Sequence, residues 1–138
     1  MAESELKPGI KGEATVKVTP ELTANRVASG VVEVYATPQM IALMEKASFV
    51  AVQPYLGPGQ STVGTLVNVT HIAATPIGHT VRANAELVEV DGRRLVFQVS
   101  AYDEVEKIGE GRHERYIIDK ERFLNRVAPK ASQPLKED

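Results

Sequence analysis

One helix-like segment is hydrophobic around most of its circumference. Residues 36–52 are mainly apolar and carry a single carboxylate, Glu45, near the middle. A helix on the surface of a globular protein normally has one apolar stripe and one polar face. This helix is therefore predicted to be enclosed by other elements. Thr37 is expected to be its N-cap and Pro38 its first residue, and Gln53-Pro54 is expected to end it.

Alternation of apolar and polar residues predicts strands on both sides of this helix. One strand precedes it and four follow it, at residues 11–18, 62–74, 80–90, 94–103 and 108–119. Asp91-Gly92 is typical of a two-residue hairpin turn. Residues 21–30 are expected to form a loop or short lid, residues 31–35 a short extended piece, and residues 120–127 a short helix.

The order of these elements predicts an α+β fold in which a curved antiparallel sheet wraps a long central helix. Strands that follow one another along the chain favour antiparallel pairing. A single sheet of this kind leaves exposed edges, so a homodimer or higher homo-oligomer is expected. Residues 1–128 are expected to form one domain, and residues 129–138, rich in Pro, Lys and Glu, a flexible tail.

Composition narrows the function classes. The 138 residues carry a net charge of −2, so no basic excess points to nucleic acid, and no apolar run is long enough to suggest a membrane partner. The chain has no cysteine, which excludes disulfides and thiolate chemistry. Its three histidines lack metal-ligand spacing, so no metal site is expected. The polar, acidic N-terminus does not read as a secretory signal, and a cytoplasmic location is expected.

Four residues are candidates for chemistry from their positions alone. Glu45 is either paired with an arginine or acts as a base or nucleophile, and burial would strengthen it as a base. His71 is either a satisfied core residue or a group that polarises a carbonyl. Gly64 marks either a bulge or a close approach of backbone to ligand. Arg115 could bind a phosphate, pair with Glu45 or lie on the surface.

Seven segments lie in order between about Val34 and Asp119: Val34-Tyr35-Ala36-Thr37, Leu43-Met44-Glu45, Pro54-Tyr55-Leu56, Gly64-Thr65, Val69-Thr70-His71-Ile72-Ala73-Ala74-Thr75-Pro76, Asp91-Gly92-Arg93-Arg94-Leu95 and Gly111-Arg112-His113-Glu114-Arg115. Taken together, these segments resemble the fluoroacetyl-CoA thioesterase type of acyl-CoA thioesterase, which has a hot-dog fold. The resemblance implies that fold and the hydrolysis of a small or medium acyl-CoA thioester.

The resemblance also implies a site at a dimer interface. A Thr, a Glu and a His act on the thioester in that family, and they match Thr37, Glu45 and His71. A glycine matching Gly64 contributes backbone contacts near the thioester, and an arginine matching Arg115 lies near the site. Coenzyme A enters as part of the substrate, and no separate cofactor is implied.

One segment differs from the resembling enzyme. Bulky phenylalanines close its acyl pocket, whereas Ala28-Ser29-Gly30-Val31 are small here. Val31 is the candidate lining residue, and the pocket is expected to be open and permissive. A non-catalytic acyl-CoA binding or sensing protein on the same fold is the alternative. A hot-dog hydratase is disfavoured because the chain has no Asp-x-Asn-Pro-x-His segment.

Overall fold

Five antiparallel strands and two helices make up the computed structural model, which describes residues 6–135. Short 3-10 turns lie at Pro20–Leu22, Gln53–Tyr55 and Ala128–Ser132. The main elements are β1 (Lys11–Lys17), α1 (Thr37–Val52), β2 (Gln60–His71), β3 (Thr80–Asp91), β4 (Arg94–Tyr102), β5 (Lys107–Asp119) and α2 (Lys120–Val127). These bounds agree with the predicted elements to within three residues at each end.

The strands lie in the order β1-β3-β4-β5-β2. The predicted hairpin at Asp91-Gly92 joins β3 and β4, and Gly92 has a φ of 62°, the left-handed conformation that such turns require. Strands β3, β4 and β5 pair in chain order and all pairs are antiparallel, as expected, whereas β2 lies beside β5 at the edge of the sheet. Two glycines of β5 allow β2 to lie this close to it, because a Cβ at Gly109 or Gly111 would collide with the β2 backbone.

The inner face of α1 packs into the concave side of the sheet. Gly12 of β1 permits close contact, since a Cβ there would lie 2.6 Å from the Cβ of Ala51. The sheet contributes buried apolar side chains to the same core, among them Leu87, Leu95 and Phe97. This long helix within a curved sheet confirms the predicted hot-dog fold. The buried apolar residues of α1 are Met40, Leu43, Met44, Ala47, Ala51 and Val52.

Two expectations about α1 are corrected. Ala36, rather than Thr37, is the N-cap, and no side chain caps the helix. The Thr37 hydroxyl forms a hydrogen bond with His71 instead. The helix is also not enclosed on every side, because Phe49 and Val50 reach solvent in the single chain. Glu45 lies at the edge of this open side with 41% of its side chain exposed, so the expected burial is not found.

The C-terminal region forms the predicted short helix. Asp119 caps α2, since its Oδ1 accepts a hydrogen bond from the Arg122 amide at 3.1 Å. Part of the expected tail forms the 3-10 turn Ala128–Ser132, whereas its residues 136–138, like the N-terminal residues 1–5, lie outside the described part. The division into one domain and a flexible tail stays a prediction. Among residues 6–135, no helix is long and apolar enough to cross a membrane.

Candidate active site

Thr37 and His71 meet where α1 begins and β2 ends. The Thr37 Oγ1 and His71 Nδ1 atoms are 2.7 Å apart, a normal hydrogen-bond distance. The pair opens onto a cavity of about 270 Å³ that Ser29, Val34 and Tyr35 also line. A hydroxyl held against an imidazole in a cavity is an arrangement that can activate the hydroxyl or move a proton.

The environment of His71 favours its neutral form. Burial lowers the pKa of His71 below its usual value, although the backbone of Ala73 acts in the opposite direction. The second ring nitrogen, Nε2, is buried and has no hydrogen-bond partner among the described residues. A neutral imidazole can take a proton from Thr37 or act on a substrate carbonyl.

Glu45 faces Arg115 across the concave side of the sheet. The Arg115 Nη1 atom lies 4.0 Å from Glu45 Oε2. Arg115 is buried and fixed by β2, because its Nε donates to Thr62 Oγ1 at 2.8 Å and its Nη2 donates to the Thr62 carbonyl at 3.0 Å. Of the three alternatives considered for Arg115, the structure shows the position beside Glu45. The Glu45 carboxylate therefore has a rigid cation next to it.

His113 joins this pair, and sequence reasoning missed it. Its Nδ1 is 2.8 Å from the Leu66 carbonyl, and its Nε2 is 3.2 Å from Arg115 Nη1. Because a carbonyl only accepts, Nδ1 must carry the proton and Nε2 accepts from the guanidinium. Burial lowers the pKa of His113, which agrees with a neutral ring. The available signal was its spacing of two from Arg115, which places both on one face of β5.

Gly64 lies directly against these groups. A Cβ at this position would be 2.8 Å from Glu45 Oε2, 3.3 Å from His113 Cε1 and 3.4 Å from Arg115 Nη1. The pairing of β2 with β5 also shifts register between Gly64 and Leu66. The bulge considered for this glycine is therefore present beside it, and its backbone also lies close to the Glu45 carboxylate. Its contact with substrate stays a prediction.

Val31 lies apart from both groups. Its residue surface is 91% exposed, and it is absent from the lining of the Thr37–His71 cavity. Ala28, three residues before Val31, has a φ of 62°, a conformation that non-glycine residues seldom adopt. A role for Val31 in acyl binding stays a prediction.

Among residues 6–135, no group of three or more metal-ligating side chains is brought together.

The single chain keeps the two groups apart. Eight residues separate Thr37 from Glu45 along α1, a rise of about 12 Å. Seven residues separate Gly64 from His71 along β2, about 23 Å of extended strand. The three predicted catalytic residues therefore fall into two separate pairs within one chain, Thr37–His71 and Glu45–Arg115, which are called half-sites below.

Comparison with known proteins assigns the chain to a family. A model of the fluoroacetyl-CoA-specific thioesterase family matches residues 18–121. A curated fluoroacetyl-CoA thioesterase from Streptantibioticus cattleyicolor is 52% identical over 98 residues, which cover 71% of this chain and 70% of that protein.

Solved structures agree in fold. A mutant of the fluoroacetyl-CoA-specific thioesterase, crystallised with fluoroacetate and CoA, superposes with a TM-score of 0.81 at 43% identity, covering 86% of this chain and 99% of that one. A thioesterase superfamily member from Thermus thermophilus gives a TM-score of 0.82 at 32% identity, covering 91% and 95% of the two chains. The chain belongs to the fluoroacetyl-CoA-specific thioesterase family.

Proposed function

We propose that this protein is an acyl-CoA thioesterase that hydrolyses a small or medium acyl-CoA to the free acid and CoA. The observation that carries the proposal is the pairing of Thr37 with His71 and of Glu45 with Arg115. These pairs occur in a chain 52% identical to a fluoroacetyl-CoA thioesterase. The Thr37–His71 cavity is open, and Ser29 gives part of its border a small side chain, which supports an acyl group without strict selectivity.

The proposed chemistry needs a nucleophile and a proton acceptor at the thioester carbonyl. Glu45 removes a proton from water, whose oxygen bonds to the carbonyl carbon. The carbon–sulfur bond then breaks, and the CoA thiolate leaves and takes up a proton. Two covalent routes use the same groups. Glu45 attacks directly to give a mixed anhydride, or Thr37 attacks after His71 accepts its proton, and water releases the acid in a second step.

A homodimer is proposed because neither half-site is sufficient alone. Strand β2 is an edge strand, and the residue surfaces of Leu66 and Val67 are each 41% exposed. Antiparallel pairing of two β2 strands about a two-fold axis between Val67 and Asn68 would set Gly64 of one chain opposite the other copy's residue 71. The Glu45 half-site of one copy would then adjoin the Thr37–His71 half-site of the other.

This register can be tested with engineered cysteines, since the chain has none of its own. The double variant Val67→Cys/Asn68→Cys should form disulfide-linked dimers under mild oxidation, because the two positions would face each other across the axis. In the matched variant Val67→Cys/Thr70→Cys, the second cysteine lies two residues away from the position that faces residue 67 of the other chain. This variant should stay unlinked. The reverse pattern on a non-reducing gel would reject the register.

The activity itself is tested by free-thiol release from a panel of acyl-CoAs, from acetyl and fluoroacetyl to long chains. Release should be fastest with short or medium chains. Glu45→Gln should lower turnover about a thousandfold or more, because it removes the proposed base while keeping the side-chain volume. Glu86→Gln, an exposed change on β3, is the control. If no acyl-CoA releases thiol but acyl-CoA raises the melting temperature, a non-catalytic binding protein replaces this proposal.

The expected absence of nucleic-acid and membrane partners and the cytoplasmic location stay predictions.

A further inference from the structure

A groove of about 250 Å³ lies beside the C-terminal end of β5, outside both half-sites. Three arginines line it: Arg93 from the β3–β4 turn, and Arg122 and Arg126 from α2. The aromatic ring of Tyr116 and the Asp119 carboxylate also border the groove. Its lining therefore carries three cations and one anion, in a chain whose net charge is −2. This is a local positive field on an acidic protein.

These three arginines differ from those next to them. Within residues 6–135, none of the three has a carboxylate oxygen within 4.0 Å, the distance that defines an ion pair. Arg94, by contrast, lies 3.0 Å from Glu114 and 3.4 Å from Glu89. Arginines placed to hold the sheet together have acidic partners, whereas those of the groove keep their charge available.

One groove arginine, Arg93, is also held in position. Arg93 Nη1 donates to the Ile117 carbonyl at 3.1 Å, and the Ile117 amide donates to the Arg93 carbonyl at 2.9 Å. Arg122 and Arg126 are four residues apart on α2 and so share one helix face. Asp119 engages the Arg122 amide rather than its guanidinium. The three arginines thus border the groove from two elements, the β3–β4 turn and α2.

We propose that this groove binds the phosphate groups of coenzyme A, an inference that rests on the proposed function. Guanidinium groups match phosphate oxygens in paired hydrogen bonds and carry a permanent charge. The groove lies beyond Arg115 along β5, since Ile117 is about 7 Å and Asp119 about 13 Å farther along the strand. Tyr116 faces the opposite side of the sheet from Arg115, so the pantetheine arm would pass around the end of β5 to reach the groove. The pantetheine arm bridges a gap of this order between thioester and phosphates. The Tyr116 ring, 45% exposed, offers a surface on which adenine can stack.

The proposal is tested by the dissociation constant of CoA, measured by titration calorimetry on the full chain. Arg93→Ala and Arg126→Ala should each weaken CoA binding about fivefold, and the double variant about twentyfold, with a smaller salt dependence than wild type. Arg82→Ala is the matched control, since Arg82 is an exposed arginine of β3 that does not line the groove. If CoA binds the double variant as tightly as wild type, or if Arg82→Ala weakens binding equally, the groove is not a phosphate site.

A second measurement separates this proposal from the proposed function. In the double variant, KM should rise for acyl-CoA relative to the corresponding acyl-pantetheine, which lacks the phosphates and adenosine. An equal change for both substrates would overturn the groove while leaving the thioesterase intact. If no thioester is hydrolysed, the calorimetric dissociation constants still decide, because binding of CoA does not require turnover.

Discussion

The two half-sites are built in different ways. The Thr37–His71 pair lies at the ends of two elements, where a helix starts and a strand stops, and one hydrogen bond of 2.7 Å joins it. The Glu45–Arg115 pair lies at the middle of α1 and of the sheet, and its guanidinium is held by Thr62 and His113. The first opens onto a cavity, whereas the second rests on a buried polar network.

This difference shows what each half contributes. A neutral imidazole beside a hydroxyl suits proton movement. A carboxylate beside a fixed guanidinium suits a single orientation toward one reacting atom. One chain holds them about 12 Å apart along α1. The exposed edge of β2 carries Gly64 from the second half-site and His71 from the first, so it is the element through which two copies would join them.

The largest expected effect comes from mixing two inactive proteins. Glu45→Gln and His71→Asn should each lose activity about a thousandfold. Co-expressed, they form heterodimers in which one of two shared sites has both native residues, so the heterodimer should recover about half of the wild-type activity. Thiol release from purified, doubly tagged heterodimers measures this.

The control for that experiment is a mixture of Glu45→Gln with Glu45→Ala, in which no site can regain the carboxylate. If heterodimers of Glu45→Gln and His71→Asn are as inactive as this mixture, each site is contained in one chain, and the two half-sites come together by movement within it.

A smaller effect is expected from Gly64→Ala. Its Cβ would fall 2.8 Å from Glu45 Oε2, and the carboxylate would have to move by several tenths of an ångström or more. Displacement of a catalytic group on this scale should lower kcat about a hundredfold, with little change in melting temperature. Gly30→Ala is the matched control, because its Cβ would meet only the Ala24 Cβ at 3.6 Å. Equal activities of the two variants would contradict the close approach of Gly64.

The sequence predicted the elements better than their partners. Alternation and the Asp91-Gly92 turn give each strand and the β3–β4 hairpin, because those signals are local. Nothing local states that β2 lies beside β5, since the glycines that permit this approach are spaced along a different strand. The error about Glu45 has a similar origin: an apolar helix sequence indicates burial, but the sheet of one chain covers only one side of α1.

The site residues show the same contrast between local signals and contacts across strands. Glu45 and His71 were candidates from their positions, the resemblance added Thr37, and the structure adds the hydrogen bond between Thr37 and His71. His113 was missed because its importance depends on a pairing across β2 and β5, where the shift in register after Gly64 accompanies the contact between the Leu66 carbonyl and its ring. The spacing of His113 and Arg115 indicates a shared face of β5, but it does not indicate the contact of His113 with the Leu66 carbonyl.

The smallest expected effect concerns His113 as a positioning residue for Arg115. Burial lowers the pKa of His113, so the unfolded chain binds this proton more readily than the folded chain. The stability from the neutral ring is present above the unfolded value of about 6.5 and is lost as pH falls toward the folded value. Protonation would also turn Nε2 into a donor facing the Arg115 guanidinium, so kcat should fall over the same acid range.

His113→Gln can donate to the Leu66 carbonyl and accept from Arg115 without titrating, whereas His113→Leu can do neither. The glutamine variant should keep kcat within about threefold and lose stability less steeply between pH 7 and 5, while the leucine variant should lose about tenfold in kcat. Urea unfolding and thiol release across this range measure both. Because His71 remains in all three proteins, their differences report on His113 alone. Parallel pH profiles for wild type and His113→Gln would mean that the ring fills space without orienting Arg115.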